Sequence, residues 1–493
     1  MTPRLAPTGP AGALGPIRRP ARRSGGLRGS VGIGAARMAV NLAALAKHRG
    51  TALPGLVGGC IWPDALAHLA GQLDSTVLVI GTNGKTTTAG LISDIVLAGD
   101  RAPIANRSGA NMRQGILASL LREADLHGRL RRDGPGRRQA VFEVDELALE
   151  QILPDLGPAV IVATNLFRDQ VDRYGEADAV VDRWTAALAI AKTGTVLVYC
   201  ADDPRLAMLA SGTGSPTITF GLAGPPMHRD HGPDAGGTVG DPVACRTCGR
   251  QLEYAWRSIG HLGRFACPEG HVSRTEPDIT VESAEPAGRS RGIRIGGRFG
   301  EGSARSLDDG LTGAYNVAAA LAVGVALGQT IGQGCEAIEG STGPFGRLES
   351  LQIDGRHMVL ALIKNTVSLA ETVQMSSMWA ADVVLLGLND APADGRDISW
   401  IWDAPIASLL AGRAVVLTGS RSTDLRLRLK YDRDLATSPP RSIEQAETLV
   451  TALDLALALT PPGGTMVVAA TYTAMMGLRA IVERRGDASP VPR

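Results

Sequence analysis

Short apolar runs, each followed by a stretch with helical spacing, recur along the chain. Val77–Gly81, Ala102–Ile104, Gln139–Val144, Ala159–Ala163 and Thr195–Cys200 form a first set. Most are near-continuous in Val, Ile and Ala, the pattern of strands buried on both faces of a parallel sheet. Val359–Ile363, Asp382–Gly387, Ala414–Gly419 and Thr465–Ala470 form a second set. Asp278–Phe299 alternates instead, as an antiparallel hairpin does. Met38–His48, Trp62–Leu73 and the Ala-rich Val317–Leu327 read as helices, with Thr51–Gly55 a turn between the first two. Phe220–Asp241, rich in Gly, Pro, His and Asp, reads as a linker. Two blocks of alternating strand and helix predict an α/β protein with two parallel-sheet domains, 38–342 and 343–493. The first domain carries an insert at about 240–275.

Composition narrows the class. At 493 residues and 44% hydrophobic, the chain can fill two or three cores. No apolar run approaches the roughly 18 residues a membrane span needs. The net charge of +1 predicts no overall pull toward nucleic acid or a membrane surface. Six cysteines in this length do not make a secreted disulfide framework, and three of them cluster. Met1–Arg37 is rich in Pro, Gly, Ala and Arg and lacks the apolar segment of a secretory signal. It reads as a disordered basic tail, or as sequence upstream of a true start at Met38.

The densest chemistry follows the first strand. Gly81-Thr82-Asn83-Gly84-Lys85-Thr86-Thr87 joins a buried strand to a helix, so backbone N–H groups and the helix dipole converge on one point. Such a loop suits phosphate, with Lys85 reaching the outer phosphates and the Thr86 hydroxyl ligating Mg²⁺. The general G-x-x-x-x-G-K-[ST] loop is not matched, because its first glycine falls at Val79. Glu143-Val144-Asp145-Glu146 ends a neighbouring strand, where a carboxylate can hold the same Mg²⁺, and Glu143 is the candidate. Cys245-x-x-Cys248-Gly249 and Cys267-Pro268-Glu269-Gly270-His271 pair as a Cys₃His set for structural Zn²⁺. His271 is the favoured fourth ligand and His261 the alternative. Arg246, Arg250, Arg257 and Arg264 in this insert lack dense aromatic interleaving, which argues against nucleic acid.

The short loop G-T-N-G-K-T resembles that of the Mur ligase superfamily. Further motifs agree in order: Thr164-Asn165-Leu166-Phe167-Arg168-Asp169-Gln170, Gly313-Ala314-Tyr315-Asn316, and Phe345-Gly346-Arg347-Leu348-Glu349. The segments 164–176, 388–403 and 471–476 and the Cys insert are similar to one branch, the MurT family. The resemblance runs from about Met38 to about Arg479. It implies a central P-loop ATPase domain with a small zinc-ribbon insert, followed by a Rossmann-like C-terminal α/β domain. By the same resemblance Asn316 contacts adenine, Arg347 and Lys364 reach the nucleotide, and Gln170 stands where a metal-binding His is usual. Thr185 stands where many members carry a carbamylated lysine, with Lys192 the next lysine.

The implied activity is ATP-dependent amidation of the D-glutamate α-carboxylate of lipid II, by way of an acyl phosphate. The implied partner is a GatD-type glutamine amidotransferase in a heterodimer, with the work done in the cytoplasm at the inner face of the membrane. The acidic, Trp-bearing segment Asp390–Asp403 is the candidate docking surface, Trp400 and Trp402 its anchors. Asp397 or Asp403 is the candidate to orient the partner's catalytic His. Two other readings stay open: a stand-alone Mur-type or folylpolyglutamate-type amino-acid ligase, and an ATP-gated zinc-ribbon binding module.

Overall fold

The computed structural model describes residues 26–45, 52–99, 103–106, 110–131, 138–169, 176–191, 193–225, 242–287, 290–306, 310–339, 348–376, 379–485 and 489–490. In chain order the first strands are β1 (Ser75–Ile80), β2 (Ile104–Ala105), β3 (Gln139–Glu143), β4 (Val160–Ala163), β5 (Val196–Cys200) and β6 (Thr217–Leu222). An insert carries β7 (Glu253–Arg257) and β8 (Gly263–Ala266), and β9 (Ile279–Ala287), β10 (Ser290–Gly297) and β11 (Gly302–Ser306) follow. Nine of these form one sheet in the order β11-β10-β9-β6-β5-β4-β1-β3-β2. Pairing is parallel from β2 through to β9 and antiparallel from β9 to β11. Leu78, Val79, Val141, Val160, Val162 and Leu197 are fully buried, as near-continuous apolar runs require. The predicted hairpin is present as β9 and β10. The added strand β11 and the strand β6, read in part as linker, escaped the sequence analysis.

The C-terminal sheet has the order β16-β15-β14-β17-β13-β12-β18. Its strands are β12 (Leu348–Ile353), β13 (Arg356–Leu362), β14 (Val383–Gly387), β15 (Ala414–Thr418), β16 (Ser442–Gln445), β17 (Thr465–Ala470) and β18 (Ser489–Pro490). The five from β16 to β13 are parallel, and β12 and β18 close one edge antiparallel. The β12–β13 hairpin turns at Asp354-Gly355, both with positive φ, as a tight two-residue turn demands. The predicted strands Val77–Gly81 and Ala414–Gly419 end a residue early, before Gly81 (φ +137°) and Gly419 (φ +98°), because that conformation leaves the extended region.

The N-terminal part corrects the sequence reading. Helix α1 (Gly26–Leu45) runs through the boundary drawn between residues 37 and 38, so Gly26–Arg37 is not a disordered tail. Residues 1–25 lie outside the described residues. Helix α2 (Leu53–Ile61) begins where a turn was expected, because Pro54 sits in its first turn and sets the helical φ. Helices α3 (Ala65–Ala70), α4 (Lys85–Gly99) and α5 (Arg113–Glu123) follow. Small residues let α1, α2 and α5 approach closely. A Cβ on Gly32 would meet Trp62 Cβ at 3.2 Å, and one on Gly58 would meet Leu121 Cδ1 at 2.5 Å. The tightest contact is at Gly55, where a Cβ would fall 1.8 Å from the Gln114 carbonyl oxygen. Ile33 and Ala36 of α1 are buried against this stack.

The Ala-rich helix Leu311–Ala326 crosses the sheet beside α4. Ala314, Ala318, Ala319, Ala320 and Ala322 are all buried, and small side chains allow this double packing.

Gly55→Ala should destabilise the N-terminal part by about 2–3 kcal/mol, since backbone and not a flexible side chain opposes the new methyl group. A thermal melt should fall by several degrees, whereas Gly34→Ala, inside α1 and meeting nothing within 4 Å, should leave it no lower.

Candidate active site

Two glycines shape the loop between β1 and α4. A Cβ on Gly81 would lie 2.1 Å from Thr164 Oγ1, and one on Gly84 (φ +85°) 2.1 Å from Asn316 Oδ1. The loop is therefore pressed between the end of β4 and the helix Leu311–Ala326. The residues after β4 grip it by hydrogen bonds. Thr82 N donates to Asn165 O (2.9 Å) and Asn83 N to Asn165 Oδ1 (2.8 Å). Asn165 Nδ2 (3.0 Å) and Thr164 Oγ1 (2.8 Å) both donate to Asn83 O. Phe167 N donates to Thr82 Oγ1 at 3.0 Å.

Lys85 opens α4 and is 7% exposed. Its Nζ donates to Gly81 O (2.5 Å) and to Glu146 Oε1 (2.6 Å). Burial works to lower the Lys85 pKa, but Glu146, Glu143 and Asp145 together outweigh it and hold the ammonium above the ordinary lysine value. Burial raises the Glu146 carboxyl, only partly offset by Lys85 and Lys364. Thr86 Oγ1 donates to Glu143 Oε2 at 2.7 Å. Asn106 braces that strand end from the next loop, accepting from Glu143 N (2.9 Å) and donating to Glu143 O (2.7 Å).

The C-terminal domain reaches the same loop. Lys364 Nζ donates to Thr82 O (2.9 Å) and to Asp169 Oδ2 (2.7 Å). Asn365 Nδ2 donates to Asn83 Oδ1 at 3.4 Å. Thr312 Oγ1 also donates to Glu371 across the two domains. Among the described residues, three buried polar atoms around the loop have no hydrogen-bond partner: Asn83 Nδ2, Asn316 Nδ2 and Asp169 Oδ1. Buried polar groups are normally satisfied, so these point at something that would occupy the site. Donors at Asn83, Asn316, Lys85 and Lys364 suit phosphate and base edges. Thr86 Oγ1, Glu143 and Asp169 can hold a hard divalent cation.

The expected residues divide in three. Gly81, Thr82, Asn83, Gly84, Lys85, Thr86, Glu143, Asn316 and Lys364 come together, with Thr87 on the first turn of α4. Gln170 and Arg347 lie outside the described residues. Asp397 and Asp403 lie on the segment after β14. Asp403 Oδ2 is 3.9 Å from Arg168 NH1, whereas Asp397 accepts only from its neighbour Ser399 N in the described contacts. Trp402 is 47% exposed, and Trp400 packs partly into the C-terminal core. Thr185, at the place of the family's lysine, bonds back to Val181 O of its own helix. Sequence reasoning missed Glu146, Asn165, Asp169 and Asn365. The first three lie in stretches it had singled out and Asn365 follows Lys364, but only the fold picks them from their neighbours.

The insert holds a second cluster. One ligand atom each from Cys245, Cys248, Cys267 and His271 lies within 4.8 Å of the others. Cys248 Sγ is 3.6 Å from Cys267 Sγ, and Cys267 Sγ is 3.7 Å from His271 Nδ1. Tetrahedral Zn²⁺ with 2.3 Å bonds sets sulfurs roughly 3.8 Å apart, so this donor set fits that ion. Both turns use a glycine at φ +73°, Gly249 and Gly270. Burial raises the Cys267 thiol, but hydrogen bonds from the His271 and Glu269 backbone and from the His271 and Cys248 side chains bring it down to about 6. His261 is not in this cluster. It is buried between Arg205 NH1 (3.1 Å) and Asp203 Oδ1 (3.3 Å), edge-on to Phe167.

Two aspartates at the end of β5 fasten the insert to the sheet. Asp202 accepts from Arg274 Nε (2.7 Å), Tyr315 Oη (2.6 Å) and Leu222 N (3.0 Å). Asp203 accepts from Leu166 N (2.7 Å) and Arg205 N (2.9 Å), and contacts His261. Burial raises the Asp203 carboxyl, but His261, Arg205 and Leu166 N overcome it and hold it below the ordinary value.

Comparisons with known proteins place this geometry. A family model described as the Mur ligase middle domain matches residues 79–241, and one described as the MurT ligase C-terminal domain matches residues 362–475. The chain is 32% identical over 413 residues to the lipid II isoglutaminyl synthase (glutamine-hydrolyzing) subunit MurT of Staphylococcus aureus, covering 80% of this chain and 87% of that one. It is 30% identical over 448 residues to the same subunit of Streptococcus pneumoniae, covering 89% and 93%. Among solved structures, a pseudomurein peptide ligase type C from Methanothermus fervidus superposes with TM-score 0.64 at 20% identity, over 83% of this chain and 79% of that one. MurF from Acinetobacter baumannii gives 0.60 at 16% identity, over 85% and 79%. The solved structures share the fold, the MurT subunits share the sequence over most of both chains, and this chain belongs to the MurT family of Mur-type ligases.

Proposed function

We propose that the chain is the ATP-using subunit of a lipid II isoglutaminyl synthase, the enzyme of which its relatives are named as subunits. The observation that carries this reading is the meeting of Lys85, Thr86 and Glu143 with Lys364 of the second domain at one glycine loop. The α-carboxylate of the D-glutamate in the lipid II stem peptide attacks the γ-phosphorus of ATP, and ADP leaves. Ammonia then attacks the acyl phosphate, phosphate departs, and the amide of D-isoglutamine remains. Lys85 and Lys364 offset the charge that develops on the transferred group, with Arg347 as a further candidate. Mg²⁺ held by Thr86 and Glu143, with Gln170 or Asp169 beside it, would neutralise the phosphate oxygens. Zn²⁺ on Cys245, Cys248, Cys267 and His271 would hold the insert folded and take no part in the chemistry.

The nitrogen comes from a partner of the GatD type, a glutamine amidotransferase. Two cysteines outside the cluster are held away from the thiolate form that a nucleophile needs. Burial pushes the Cys200 thiol well up, with Asp202 and Asp203 adding to it, and Cys335 is pushed up to about 11 by burial and two nearby glutamates. The segment Asp390–Asp403, with Trp402 exposed, is the docking surface, and Asp397 or Asp403 orients the partner's catalytic His. The site works in the cytoplasm, at the inner face of the membrane, where lipid II presents its peptide. Among the described residues no helix is long and apolar enough to cross a membrane.

Given ATP, lipid II and ammonium chloride, the protein should release ADP and an amidated product. Lys85→Ala and Glu143→Gln should each lower that rate by at least about a hundredfold. If the unaltered protein yields neither ADP nor amide, the reading fails, and ADP release with free amino acids instead would favour a stand-alone ligase. In the reconstituted pair, Asp397→Asn or Asp403→Asn should lower glutamine hydrolysis while ammonia-driven amidation persists. Unchanged hydrolysis in both variants removes the docking assignment. Metal analysis should find about one zinc per chain, and Cys248→Ser should lose it with a lower melting temperature.

A further inference from the structure

The turn that joins β7 to β8, Ser258–Leu262, is unusual for the tip of a hairpin. Ser258, Ile259, His261 and Leu262 are all buried, and His261 is only 1% exposed. Hairpin tips normally face water, so this one is pressed against something. It meets three elements, each one step from the glycine loop. Ser258 Oγ and Tyr315 Oη share a hydrogen bond of 2.8 Å, and the next residue, Asn316, stands against Gly84. His261 lies edge-on to Phe167, with ring centroids 5.0 Å apart. Phe167 holds Thr82, whose Oγ1 accepts from Phe167 N (3.0 Å) and donates to Phe167 O (3.2 Å).

The third contact crosses to the other domain. A Cβ placed on Gly260 would fall 3.1 Å from Phe167 Cε1 and 3.4 Å from Val367 Cγ2. Val367 is buried in the first turn of the helix Thr366–Ser376, directly after Lys364 and Asn365. Ile259, Leu262, Phe167 and Val367 belong to one core. The tip therefore touches both domains at the place where they meet over the loop.

Its own conformation is tightly set. Gly260 has φ +56°, in the left-handed region, so a side chain there is strained as well as crowded. His261 is fixed through both ring nitrogens. Arg205 can only donate, so Nδ1 accepts from Arg205 Nη1 (3.1 Å), and the network assigns the proton to Nε2, facing Asp203 Oδ1 (3.3 Å).

We propose that Gly260 and His261 are positioning residues, and that the tip of the insert seats the C-terminal domain on the glycine loop and so sets how tightly that loop holds nucleotide. The nucleotide part rests on the reading of the loop as an ATP site; the seat itself does not. A shift of the tip reaches Lys364 by two routes. One runs through Phe167 to Thr82, whose carbonyl oxygen accepts from Lys364 Nζ, and the other through Val367.

The test is MgATP binding and amide hydrogen exchange on the full chain. Gly260→Ala crowds the seat and Val367→Ala empties it from the opposite side. Each should weaken MgATP binding at least about fivefold, with zinc content as in the unaltered protein. In both, exchange should rise in peptides covering 164–169 and 364–369 and stay unchanged in those covering 245–250. His261→Ala should do the same. His261→Gln should recover much of the protection, because its amide can accept from Arg205 and donate to Asp203. Arg264→Ala, which removes an exposed pair with Glu276, should change nothing. A role confined to folding the insert would raise exchange at 245–250 and lower zinc content, leaving 364–369 alone, and that result overturns the proposal. Unchanged MgATP affinity in both Gly260→Ala and Val367→Ala overturns it too. If the unaltered protein binds no MgATP, the reading of the loop fails, and exchange still decides the seat: unchanged protection of 364–369 in Gly260→Ala, Val367→Ala and His261→Ala removes it.

Discussion

A buried positive charge governs this site. Lys85 is almost wholly removed from water, and an ammonium there is tolerable only if carboxylates and carbonyls surround it. Gly81 O and Glu146 supply the direct contacts, and Glu143 and Asp145 add their field. That requirement explains why the acidic end of β3 must stand beside the glycine loop. The parallel pairing of β1 with β3 sets the two side by side. An anion arriving at the loop would meet a cation already desolvated and held in place, which is how preorganised charge does most in catalysis.

The rest of the molecule is arranged around holding that loop still. Residues 164–167 grip its backbone from one side, and Asn316 fills the space that a side chain on Gly84 would need. Lys364 and Asn365 bring the second domain onto it from above. The insert joins the same network through Asp203, which accepts from Leu166 N and contacts His261, while His261 packs edge-on against Phe167. A small metal-type insert with its own core is thus continuous with the support of the active site. Asp202 ties it in again through Arg274 and Tyr315. That ion pair is fully buried, with both side chains at 0% exposure, and burial outweighs the Arg274 contact and holds the Asp202 carboxyl above its ordinary range. The Tyr315 hydroxyl is committed to this structural bond.

Much of this was legible in the chain. Uninterrupted Val, Ile and Ala runs marked the parallel strands, because a strand buried on both faces has no polar side to show. The pair Gly81 and Gly84 with Lys85 and Thr86 announced an anion site, because few other sequences allow backbone to close so tightly. The spacing of Cys245, Cys248 and Cys267 announced a ligand cluster. These are local statements, and local chemistry was enough for them. The N-terminal helices were misread for the same reason. Glycine and proline weigh against a helix in isolation, and only the close stacking of α1, α2 and α5 makes small residues an advantage there.

Other choices needed the fold. Whether His261 or His271 completes the cysteine cluster depends on which way each side of the β7–β8 hairpin faces, and spacing does not encode that. The partner of Lys85 among Glu143, Asp145 and Glu146 depends on how β3 meets α4. The meeting of Asp169 with Lys364, 195 positions apart, depends on the docking of two separately folded sheets. Residue type and near-neighbour spacing determined the elements and the kinds of chemistry present. Long-range packing decided which of several equivalent side chains do the work, because a buried charge is paired by whatever the tertiary fold brings within reach.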